Sequence, residues 1–116
     1  MAIVFAMAVP HPPIIIPDIG RGEERKIQNT IDGYMEVARR AAEFNPDTVV
    51  VLSPHSTLYS DYFHISPGKS ARGDFGRFGA RRVSVEMEYD SKFVHELSTL
   101  AEIEGFPAGT LGERDP

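Results

Sequence analysis

Residues 3–13 read IVFAMAVPHPP, and residues 48–56 read TVVVLSPHS. In the first stretch Ile3, Phe5, Met7 and Val9 alternate with Val4, Ala6 and Ala8, so both faces are apolar. A strand without a polar face belongs to a parallel sheet covered on both sides. Pro10, Pro12 and Pro13 then remove backbone donors and end the ladder, leaving 10–21 as an extended loop. The second stretch repeats the pattern: an all-apolar strand at 48–52, followed at once by Ser53, Pro54 and His55.

Between the two strands the spacing predicts a helix over 22–44. Ile27, Ile31, Tyr34 or Met35, Ala38 and Ala42 recur every three or four residues and make one apolar stripe. Glu23 and Glu24 open it and Arg39 and Arg40 close it, as the helix dipole favours. Asn45-Pro46 stops it. Strand, helix and strand make a βαβ unit with a right-handed crossover. The expected fold is therefore α/β, a mostly parallel sheet with flanking helices.

Further along, residues 61–66 suit a short strand, and VSVEME at 83–88 alternates like an edge strand. Residues 67–82 carry Gly68, Gly73, Gly76 and Gly79 and read as a long mobile loop, a candidate lid through Phe75 and Phe78. A second helix is expected over 91–104, capped by Asp90 and ended by Gly105. Its apolar stripe would be Phe93 or Val94, Leu97, Leu100 or Ala101, and Ile103.

The chain has 116 residues, a net charge of −5 and no cysteine. The acidic balance argues against nucleic acid as the main partner. Without cysteine there can be no disulfide, thiolate metal site or cysteine nucleophile, which fits a cytoplasmic location. The apolar residues 1–9 are too short to cross a bilayer and lack the basic lead of a secretory signal. No membrane partner is expected.

The chemistry concentrates at His11 and His55. Each follows a proline that itself closely follows a two-sided apolar strand. In open α/β sheets, ligands bind beyond the carboxyl ends of the strands. Neighbouring strands lie ~5 Å apart, so two such imidazoles could share one ion at metal–nitrogen distances of about 2.0–2.1 Å. Pro12 restricts His11 and Pro54 restricts Ser53, which holds the loops rigid. Ligation needs neutral imidazoles, so metal binding should weaken below about pH 6. Candidate carboxylates for a third ligand are Asp18, Asp61 and Asp74, Asp61 being nearest in sequence to His55; Glu113 and Asp115 lie in the tail.

Ser53 and Ser56 flank His55 without a nucleophile elbow, so a hydrogen-bonding role in the loop is expected of them. Tyr59 and His64 read as packing residues and His95 as solvated. Asp74-Phe75-Gly76 spells a kinase metal-binding triplet without any companion motif, and that reading is rejected. Lys69, Arg72, Arg77, Arg81 and Arg82 could attract an anion, but the glycines among them do not open a helix behind a strand as a phosphate cradle requires.

The runs AVPHPPIIIPDIGRGEE (8–24), VVVLSPHS (49–56) and GDFGRFGA (73–80) resemble the LigB-like class III extradiol ring-cleavage dioxygenases. The resemblance is greatest to the branch in AmmeMemoRadiSam-system proteins, related to the MEMO proteins, and it covers essentially the whole chain. It implies that His11 and His55 are two ligands of a non-haem Fe(II) ion, with zinc or another divalent metal as alternatives. A glutamate far downstream would complete the ligand triad, and an Asp-His-Gly segment beyond the equivalent of GERDP would supply the acid/base histidine. Residues 1–116 are thus expected to be the N-terminal part of a single LigB-like domain, truncated before those groups, and no residue of the chain is assigned as catalytic.

The implied activity is oxidation of a catechol-type aromatic by O2. The implied partners are a small aromatic substrate, O2 and further copies of the chain in a homo-oligomer. Two rivals remain open: a MEMO-like metal-binding or partner-binding protein without enzymatic activity, and a zinc hydrolase using the same histidines.

Overall fold

The computed structural model describes residues 3–55 and 58–112. Contacts divide the chain into two compact units, Met1–Val49 with Asp74–Ser84, and Val50–Gly73 with Val85–Pro116.

In the first unit, residues 3–12 form no regular element, and Pro12 then leads into a 3-10 turn at Pro13–Ile15. Helix α1 follows at Pro17–Gly20. Both turns begin with proline, whose fixed φ suits a first helical position and whose missing N–H would be unpaired there anyway. Gly20 is buried because nothing larger fits: a Cβ would lie 2.6 Å from the Ile14 carbonyl oxygen. The helix expected over 22–44 is split. Residues Glu23–Ile27 form a 3-10 turn, and the α-helix proper, α2, runs Gln28–Glu43. Ile27, at φ −118° and ψ 34°, breaks the α-helical path between them. Ile31, Tyr34, Val37 and Ala41 are half-buried, while Ala38 and Ala42 are exposed, so the covered stripe is rotated from the expected one. Asn45, at φ +45°, closes the helix by donating its N–H to the Ala42 carbonyl at 3.0 Å. The Phe44 ring meets Phe5 at a centroid distance of 5.0 Å.

Residues 67–82 are not the expected mobile loop. They contribute most of a hairpin of β2, Ser70–Phe75, and β3, Ala80–Glu88, joined by a 3-10 turn at Gly76–Phe78. The glycines serve the turn: Gly79 takes φ +81° and donates to the Gly76 carbonyl at 3.0 Å. The Asp74 carboxylate accepts the Gly76 N–H at 2.8 Å, and the Tyr89 N–H donates to Lys69 O at the open end. The tip belongs to the first unit, where Ala80 is 4% exposed, and the base to the second.

The second unit holds the parallel pairing, β1 at Phe63–His64 against β4 at Ala108–Gly109. Helix α3, Ser91–Ile103, packs on β4 and buries Ala101. Asp90 caps it as its sequence predicts, accepting from the Phe93 N–H at 3.0 Å. At its other end Gly105 takes φ +68°, its N–H reaches Glu102 O, and the Phe106 N–H reaches Ala101 O. This is a Schellman close, and it lays Phe106 against Phe63 with ring centroids 5.4 Å apart. Phe93, Val94 and Ser98 are half-buried beside Ala101, while Leu97, Leu100 and Ile103 are largely exposed. Part of the expected stripe thus stays uncovered.

Helices, a parallel pair and a hairpin make the chain α/β, as expected. The parallel pair, however, is not formed by 3–9 and 48–52. Neither segment joins a ladder, and Ile3 is 90% and Leu52 91% exposed. A strand with two apolar faces needs a layer on each, and these residues have none.

Candidate metal centre

His11 lies in the first unit and His55 in the second. Both residues are exposed. His11 directly precedes Pro12, which sits at φ −75° and ψ 128° and whose carbonyl accepts the Ile15 N–H at 3.2 Å. The backbone beyond His11 is therefore pinned into the 3-10 turn. His55 occupies a turn after Pro54, and its N–H donates to Ser53 Oγ at 3.1 Å. Ser53 so takes the loop-holding role its sequence position predicts. Ser56, Glu113 and Asp115 lie outside the described residues.

The candidate carboxylates are dispersed. Asp18 is exposed on α1, and Asp61 is exposed at the bend before β1. Asp74 is engaged at the hairpin turn. Among the described residues no three histidine, aspartate or glutamate side chains gather as a metal cluster. Each imidazole can supply one nitrogen donor, a type that suits iron, zinc and copper alike.

Around β1, Tyr59 and His64 pack together with ring centroids 6.1 Å apart, edge to face, and Tyr59 meets Tyr62 at 6.3 Å. The Tyr59 hydroxyl donates to the Gly112 carbonyl at 2.7 Å, tying positions 53 residues apart. Both residues thus have the packing role expected of them, but no sequence signal announced the Tyr59–Gly112 tie. His95 is exposed on α3, as expected.

Architecture and donor set define an α/β protein carrying two proline-set histidines. Residues 5–115 match the family of the catalytic LigB subunit of aromatic ring-opening dioxygenase, and the chain belongs to that family. A relative, Protein CA_C1420 of Clostridium acetobutylicum, is 35% identical over 100 residues, covering 86% of this chain. The chain spans 21% of that relative's length. No solved structure matches. No helix among the described residues is long and apolar enough to cross a membrane.

Proposed function

We propose that this chain contributes two ligands, His11 and His55, to the non-haem Fe(II) centre of an extradiol dioxygenase that opens catechol-type rings with O2 in the cytoplasm. What carries the reading is the family match over 5–115, which includes both histidines. Each is exposed and sits beside a proline, His11 just before a hydrogen-bonded 3-10 turn and His55 within a turn held by Ser53. When bound, Fe(II) held by two histidines and a carboxylate keeps open positions for a catecholate and dioxygen. The chain's own part is to offer imidazole nitrogens from loops restricted by proline, which lowers the ordering cost of binding. Ser53 contributes by holding the His55 backbone. In this reading residues 1–116 are the first part of one LigB-like domain whose carboxylate ligand and acid/base histidine lie elsewhere.

Anaerobic titration with Fe(II), read by calorimetry, tests the ligands. His11→Ala and His55→Ala are each expected to abolish stoichiometric binding, and undiminished binding in either overturns the assignment. Oxygen uptake on simple catechols by the full-length protein tests the reaction. Metal binding without uptake would favour the MEMO-like alternative, a metal-binding or partner-binding protein of an AmmeMemoRadiSam system.

A further inference from the structure

In the first unit a depression of about 470 Å³ opens between the end of α1 and the hairpin tip, lined by Asp18, Arg21, Gly79, Ala80, Arg81 and Arg82. Two segments far apart in sequence thus bring three arginine residues to the walls of one concavity. The volume lies within the ~300–1,000 Å³ of small-molecule sites.

Three features set this cluster apart from an ordinary solvated face. The first is charge: the chain carries net −5, yet residues 69–82 hold five basic side chains against one carboxylate, Asp74. The second is pairing. The ion pairs of the described residues join Lys26 to Glu23, Arg39 to Glu36 and Glu43, and Arg40 to Glu36. None of them uses Arg21, Arg81 or Arg82, and Asp18 is the one carboxylate among the residues that line the depression. The third is backbone. Arg21 takes φ +48° and ψ +46°, a left-handed conformation that carries a steric cost for an L-residue. Glycine, present on both sides at 20 and 22, would sit there without that cost.

We propose that this depression is a binding site for a small oxyanion, the carboxylate or phosphate of a small molecule. Guanidinium groups present planar forks that match the oxygens of either group in pairs. A bound anion also relieves the repulsion among three neighbouring cations. Asp18, which also lines the depression, opposes the ligand's charge.

The test is an NMR titration of the 116-residue chain at constant ionic strength, with inorganic phosphate in one arm and benzoate in the other. Arginine Nε–H signals and the amides of 79–82 are followed. Saturation in the ~1–10 mM range is expected of a few exposed charge-assisted contacts. Saturation by phosphate alone assigns a phosphoryl ligand, by benzoate alone an aromatic acid, and by both the shared oxyanion chemistry. Arg81→Ala and Arg82→Ala should each weaken binding about fivefold or more, and Asp18→Asn should tighten it two- to fivefold, by the sign of the charge removed. Arg77→Ala, on the same turn but outside the depression, should leave binding unchanged. A linear response in both arms, an Arg77→Ala loss as large as the others, or weaker binding in Asp18→Asn overturns the proposal.

Discussion

Glu36 on α2 accepts hydrogen bonds from the guanidinium groups of Arg39 at 2.7 and 3.0 Å and of Arg40 at 2.9 Å, which hold its carboxyl down at about 2, from an ordinary value of 4.5. A carboxylate whose folded value is depressed stabilises the fold above its unfolded value and loses that contribution as pH falls through the folded one. Helix content should therefore decline between about pH 4.5 and 2, as followed by far-UV circular dichroism, and Glu36→Gln should remove that part of the decline. These groups are solvent-exposed, so about 1 M salt, with its 3 Å screening length, should blunt the difference. At this scale the sequence was partly readable. Asp90 and Gly105 could be named as the ends of α3 because capping depends on neighbours within one turn. The left-handed Arg21 could not, because nothing in its side chain demands that conformation.

At the scale of elements, short-range patterns transferred best where the chain alone decides them. The edge strand at 83–88 emerged within β3, and the short strand around 63 emerged as β1. The hairpin was obscured by its glycines, which look like loop residues one by one. Gly76 and Gly79 bound the turn instead, and Asp74 supplies an acceptor for the Gly76 N–H. Asp74→Ala is expected to cost the hairpin about 0.5–1.5 kcal/mol, the net worth of one such bond. Hydrogen exchange should quicken at the tip, around Phe75 and Ala80, while the base near Ser70 and Glu88 stays protected. Equal exchange along both strands in the variant and the parent would remove Asp74 from the account. The metal-site reading depends on a different order of information. Each histidine's loop is visible locally, through Pro12 and through Ser53 with Pro54, but the third ligand must come from segments that local pattern does not connect.

For the whole molecule the decisive quantity is uncovered apolar surface. Val4, Leu58, Phe63, Met87 and Ile103 are all more than half exposed. This is also why 48–52, legible as a two-sided strand, forms no ladder: Val49, Val50, Val51 and Leu52 are 60–91% exposed, and the layers that would hold them are not among the described residues. An exposed apolar segment outside any ladder is a template for strand pairing with another chain. The 116-residue chain by itself should therefore associate with further copies, as its expected homo-oligomer implies. Sedimentation velocity over about 5–200 µM should show species heavier than 12.9 kDa that grow with concentration. Placing charge on the segment, with Val50→Lys and Leu52→Lys together, should shift the distribution toward monomer, because a lysine cannot be buried unpaired without a penalty of several kcal/mol. A single species at monomer mass across the whole range, in the unaltered chain, would show that this apolar segment does not drive association.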